Sequence, residues 1–347
     1  MKLSNTAKKI LNDPVRIEHR DMWMSRLQDL YDGKSSGYVM AINGVIGFPD
    51  DAKLLYSDPE QWVIESLEIL ADQIDKCDSD IQFVPPCIEP MVYGVHFIDN
   101  IFGAHVYYDD DVGQWYNDYL DTDVGTLKYP DLEKSEAWNI AILTANTFLE
   151  QDLALPLFGL PTIASALVVS VNLYGENILT EMLVDPENAI RDFCLINELL
   201  VNIHRYYRSR IPEKQHQPVI SWNRTQPPGY GQLCGCTSQL VSAEAYNTQI
   251  AGLDNELLGV YPKGGMMHLC GRHTQHIPAF KAMPKLKAIQ INDRAAHDLE
   301  IYFNDLREDQ IIYLNPCQGM PVDKAMDITG GKRLVIADTI ESPIAVK

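Results

Sequence analysis

From about residue 132 onward, short apolar runs alternate with longer segments whose apolar residues recur at helical spacing. The runs are Leu153 to Leu160, Val219-Ile220-Ser221-Trp222, Gln232-Leu233-Cys234-Gly235-Cys236, Met266 to Cys270, Ala288 to Ile291, Ile311 to Leu314 and Leu334 to Ala337. Helical stretches separate most of them, including Glu133 to Glu150, a pair broken at Asp185-Pro186, and Ala243 to Val260. A short apolar run bounded by turn residues reads as a strand buried on both faces, and its repeated alternation with helices reads as a parallel sheet. Upstream, Ala7 to Tyr31 predicts a helix ending at Asp32-Gly33, and Gly37 to Gly44 a first buried strand. Gln61 to Lys76 predicts a helix with Val63, Leu67, Leu70 and Ile74 on one face.

The number of strands and the length of 347 residues favour a closed (β/α)8 TIM barrel, an α/β fold, over an open doubly wound sheet. Residues 1–36 are then an N-terminal helical extension and 37–347 the barrel. Residues 78–130, rich in Pro, Tyr and Asp, read as a long insertion near the barrel mouth, where Tyr107 to Tyr119 would form a solvated lid. No G-x-G-x-x-G follows the first strand and no G-x-x-x-x-G-K-[ST] occurs, so nucleotide binding loses support.

Charge narrows the choice of partners. The net charge is −20 and no Lys/Arg cluster could track a phosphate backbone, which argues against nucleic acid. Met1 to Arg20 is studded with charge and lacks a signal-peptide core, and no run nears the roughly 18 apolar residues needed to cross a bilayer. A cytoplasmic protein with no membrane association is expected. Its 7 cysteines, odd in number and scattered, read as reduced thiols rather than a disulfide framework.

The chemistry concentrates in Met267-His268-Leu269-Cys270-Gly271. In a strand His268 and Cys270 share a face about 6.6 Å apart, close enough to lean onto one zinc ion, which accepts mixed nitrogen and sulfur donors. In a barrel the active site lies at the carboxyl ends of the strands, which singles out Asn43, Cys234, Cys236, His268, Cys270, Asn292, Asp293, Cys317 and Asp338. Cys317 is the preferred third ligand: three protein donors leave a fourth position open, as at a catalytic zinc. Cys234 and Cys236, on a neighbouring strand, and Glu89 are further candidates. Cys77, Cys87 and Cys194 read as core residues, because free cysteine packs as a small hydrophobe. His273 and His276 read as solvated, or as groups that orient their neighbours.

Several segments, in order and spacing, carry a resemblance. They are Gly159-Leu160-Pro161-Thr162-Ile163-Ala164, Leu183-Val184-Asp185-Pro186-Glu187, Leu240 to Tyr246, and Met267 to Gly271. From about Leu153 to the end the chain resembles the uroporphyrinogen decarboxylase-like superfamily, which includes zinc-dependent methyltransferases of corrinoid pathways. The resemblance implies a (β/α)8 barrel with a helical N-terminal extension. True decarboxylases of that family carry an Arg-rich segment near the first strand, where this chain has Tyr38 to Val45, so the methyltransferase branch fits better. Thiol-methylating members place their third zinc ligand, a Cys, on the final strand; here that strand is Leu334 to Asp338, and Cys317 lies one strand earlier.

The resulting expectation is an enzyme that moves a methyl group between a small substrate, preferably a methyl ether and otherwise a thiol, and a corrinoid (cobalamin) carried by a partner protein. Zn2+ on His268, Cys270 and Cys317 would act as Lewis acid. The alternative is a metal-free decarboxylase for another carboxylated substrate, using Asp293 and Asp338 with Arg272 or Arg294. A third class is a corrinoid- or metal-handling accessory protein without turnover.

Overall fold

A computed structural model describes residues 2–35, 37–42, 47–49, 51, 53–219 and 224–338, with backbone alone at 40–42 and 338. The chain folds as a mixed α/β structure built on parallel sheets. Its strands are β1 (Val39–Ile42), β2 (Cys87–Ile88), β3 (Val106–Asp109), β4 (Gln114–Asn117), β5 (Leu157–Gly159), β6 (His216–Gln217), β7 (Gly231–Cys234), β8 (Gly265–Leu269), β9 (Leu286–Ile291), β10 (Ile311–Leu314) and β11 (Leu334–Asp338). One sheet has the order β1-β11-β10-β9-β8-β7 and a smaller one the order β2-β5-β6; every pairing in both is parallel. β3 and β4 form a separate antiparallel hairpin.

The amino-terminal helix is interrupted. Asn12-Asp13-Pro14 divides it into Asn5–Ile10 and Pro14–Tyr31, with Asp13 accepting from Val15 N as N-cap and Pro14 in the first turn, where its missing N–H costs nothing. The second helix turns Trp23, Met24, Leu27 and Leu30 inward. They form one buried cluster with Val39, Cys87, Leu157, Met266, Ala288, Ile311 and Val335, which come from strands of both sheets and sit toward their amino ends. This core is therefore shared by the two sheets and covered at one end by the helix. Arg20 fastens the cover: it is buried, and its Nη1 donates to Ala154 O and Leu155 O, both at 2.6 Å.

The edges β6 and β7 are joined by side chains. Gln217 Nε2 donates to Gln226 O at 3.0 Å and its Oε1 accepts from Gln226 N at 3.1 Å, while Gln226 Nε2 donates to Gly231 O at 2.8 Å. The buried glutamines thus satisfy backbone groups that a regular ladder would otherwise pair.

Elsewhere the expected elements form with shifted bounds. The stretch expected to be an insertion is not uniform, since Cys87–Ile88 is a strand of the smaller sheet and only the following residues depart from it, into a short helix (Phe97–Ile101) and the hairpin. The expected strand Val219 to Trp222 falls largely outside the described residues, as does the end of Gly37 to Gly44. No helix among the described residues is long and apolar enough to cross a membrane.

Leu27 is fully buried in the helix that covers the shared core. Leu27→Ala should lower unfolding free energy by about 2–5 kcal/mol in a denaturant titration. A loss below roughly 1 kcal/mol would show that this helix packs loosely on the sheets.

Candidate metal centre and cavity

Pairing of β7 with β8 sets Cys234 opposite His268, and pairing of β8 with β9 sets His268 opposite Gln290. Register partners in a parallel sheet point to the same side, so the three side chains form a row near the carboxyl ends. Beyond Cys234 the chain turns: Gly235 N donates to His268 O at 2.8 Å, and a 3-10 turn spans Cys236–Leu240. A Cβ at Gly235 would fall 2.7 Å from Met267 Sδ, so glycine is what lets this turn lie against β8.

The turn brings Cys236 back over the row. Among the described residues, Cys234, Cys236 and His268 form a group whose ligand atoms all lie within 4.8 Å of one another. Tetrahedral zinc, with bonds of about 2.0–2.3 Å, separates its donors by roughly 3.3–3.8 Å, so small side-chain rotations close such a group on one ion. Cys270, the first residue past β8, places its Sγ 2.8 Å from Cys236 Sγ.

His268 is held in one orientation. Its Nδ1 lies 2.9 Å from Gln290 Oε1, and Gln290 Nε2 donates to Asn315 Oδ1 at 2.8 Å. An amide oxygen only accepts, so Nδ1 carries the proton and Nε2 presents its lone pair. Burial, and next the charge of Arg224, hold the imidazole well below its ordinary pKa; it is neutral, the form that binds metals.

The sulfurs divide their protons unequally. Cys234 is lowered to about 7, foremost because Cys236 donates to its thiolate. Cys270 is lowered by the same neighbour, whereas Cys236 is pushed far up by its hydrogen bonds to Cys234 and Cys270 and by burial. Two sulfurs beside a neutral imidazole, with a third sulfur in contact, are donors that a divalent cation can take up as their protons leave. The donor set therefore fits zinc.

The group opens on a cavity of about 340 Å³ with a mostly apolar wall, including Leu160, Pro161, Ile163, Val168 and Val219. Its charged lining residues are Glu89 and Arg224, both buried. A second cavity of about 370 Å³, lined by Phe48, Tyr56, Trp62 and Trp115, shares Met91 and Gly94 with the first. Trp115, on the β3–β4 hairpin, packs 5.2 Å from Tyr56 and 5.0 Å from Tyr93, so the stretch expected to be a solvated lid is anchored by one aromatic face.

Of the expected set of His268, Cys270 and Cys317, one member falls in the Cys-Cys-His group found among the described residues. His268 stays, Cys234 and Cys236 join it, and Cys270 touches the group through Cys236. Cys317 is not brought into the group: an isolated antiparallel bridge to Met320 turns the chain there, and Cys317 packs against the main hydrophobic core. Glu89 lines the cavity without belonging to the Cys-Cys-His group. His273 and His276 are buried, with Nδ1 of His273 2.9 Å from Ser238 Oγ and Nε2 of His276 2.8 Å from Ser238 O, so they brace the turn that carries Cys236. Cys77 and Cys87 are buried, but Cys194, expected in the core, is exposed on the outer side of its helix. Asp293, Arg272 and Arg294 are exposed; Asn292 is half-buried with its Oδ1 unpartnered. Asn43 and the side chain of Asp338 lie outside the described residues.

Sequence reasoning missed Arg224. It follows the expected strand Val219 to Trp222 by two positions, so the strand-end rule that selected Cys234 and His268 could have included it.

No protein-family model matches the chain, and no curated protein matches it. Among solved structures, the chain is similar to a methyltransferase from Methanosarcina mazei, with a TM-score of 0.63, 9% identity, and coverage of 91% of this chain and 92% of that one. At 9% identity the likeness is one of fold.

The thiol pattern is open to direct measurement. In metal-free protein, iodoacetamide labelling mapped by mass spectrometry should rise at Cys234 with a midpoint near pH 7, because thiolate is the nucleophile, while Cys236 stays unlabelled through that range. Cys236 labelling ahead of Cys234 would show that Cys234 is not the more acidic thiol of the two.

Proposed function

We propose that this chain is a zinc-dependent methyltransferase, moving a methyl group between a small substrate and a corrinoid carried by a partner protein. A methyl ether is the favoured substrate and a thiol the other. We further infer that the two parallel sheets are arcs of one (β/α)8 barrel, which the core cluster shared by both sheets supports. The observation that carries the reading is the Cys234–Cys236–His268 group beside an apolar cavity at the carboxyl ends of the strands. The fold likeness to a methyltransferase agrees with it.

In this reading Cys234, Cys236 and His268 hold the ion, and Cys270 stands next to them as a replaceable fourth donor. Zinc, when bound, supplies Lewis acidity toward an ether oxygen or lowers the pKa of a thiol. The chain's own residues set the conditions. Gln290 fixes the imidazole so that Nε2 faces the ion, and the apolar wall excludes water from the reacting atoms. The cavity would stay open to the corrinoid of the partner during transfer.

The alternative of a metal-free decarboxylase finds its support in the same cavity, where Arg224 and Glu89 offer a cation and a carboxylate. Metal content separates the two. Purified protein should carry close to one zinc per chain, and His268→Ala or Cys234→Ala should abolish both zinc and the methylation of reduced cobalamin, read from its visible spectrum. Full methyl transfer by a metal-free variant would refute the zinc reading. Gln290→Leu should keep the fold but weaken zinc binding about 10–100-fold in a chelator competition.

A further inference from the structure

The cavity contains a cation that the metal centre does not require. Arg224 lines the wall, is 8% exposed, and has an Nε shut off from solvent without a hydrogen-bond partner among the described residues. A buried N–H without a hydrogen-bond partner is costly, and a ligand that accepts from the same guanidinium is one way to offset that cost. Its position is fixed from behind. Tyr313 Oη donates to Thr225 O at 2.9 Å, and Gln226 N donates to Gln217 Oε1 at 3.1 Å, so the backbone on the carboxyl side of Arg224 is tied to the sheets.

We propose that Arg224 is the anchor for a carboxylate on the small substrate of this cavity. The inference rests on the cavity being the methyl-transfer site, and it narrows the substrate class to an apolar methyl ether bearing a carboxylate. The guanidinium offers a planar fork of N–H donors that matches two carboxylate oxygens, and the surrounding Leu160, Ile163, Val168 and Val219 accept a short apolar body. A volume of about 340 Å³ admits a single ring with its substituents.

Binding to the zinc-loaded protein tests this by calorimetry, with 4-methoxybenzoate and methoxyacetate set against their neutral amides. At least one carboxylate should bind tenfold or more tightly than its amide. Arg224→Gln should erase that preference while leaving zinc content unchanged, and Arg224→Lys should keep part of it. Equal binding of acid and amide, binding of neither carboxylate, or a preference that survives R224Q would overturn the proposal. Loss of zinc from R224Q with the preference intact would instead make Arg224 a partner of the thiolates, and would also overturn it. His268→Ala separates the two readings: a metal-free variant that still prefers the acid keeps the anchor, whatever becomes of the zinc chemistry.

Discussion

The site depends on one alignment, the parallel pairing that places Cys234 beside His268. Adjacent strands lie about 4.8 Å apart, so register partners on one face bring their side-chain ends together without long reaches. The next pairing contains an irregularity. Gly265 faces Leu286 while Met266 faces Ala288, so Lys287 is skipped between β8 and β9. With an unbroken register His268 would face Ile289, whose side chain points to the opposite side of the sheet. The extra residue moves Gln290 into that place, and with it the amide oxygen that fixes the imidazole.

The two ends of the sheets do different work, and one hydrogen-bond chain connects them. Apolar residues at the amino ends pack beneath the helix Pro14–Tyr31, which supplies a covered core. The same helix ends at Tyr31, whose Oη donates to Tyr313 Oη at 3.2 Å, and Tyr313 in turn donates to Thr225 O. Arg224 is the next residue. The packing that seals one end of the sheets therefore positions a charged group in the cavity at the other, and precise placement of such groups needs support of this kind.

Much of this was legible in the chain. The alternation of apolar runs with helical spacing located most of the parallel strands, and the strand-end rule selected Cys234, Cys236, His268 and Cys270. What periodicity cannot supply is the path of the chain after a strand ends. Cys270 lies past β8 and Cys236 begins a turn, so which sulfur meets His268 is decided by Gly235 and by the His273 and His276 bonds to Ser238. Cys317 follows an apolar strand just as they do, yet its turn closes on Met320. The two-residue strands β2 and β6 are too short to carry a period, which is why Cys87–Ile88 was hidden inside a stretch read as irregular.

An acidic chain and an anionic substrate are compatible on physical grounds. The net charge of −20 acts through solvent, where it is screened over roughly 8 Å at physiological ionic strength. Arg224 and the thiol cluster act inside a cavity walled by apolar side chains, where a nearby charge is felt more strongly than a distant one. The interior holds a neutral imidazole with sulfurs grouped beside it, a buried carboxylate at Glu89, and a guanidinium whose Nε lacks a hydrogen-bond partner among the described residues. On the proposed reading a metal ion would complete the thiol and imidazole group and a substrate carboxylate the guanidinium, each charge meeting its opposite behind the same apolar wall.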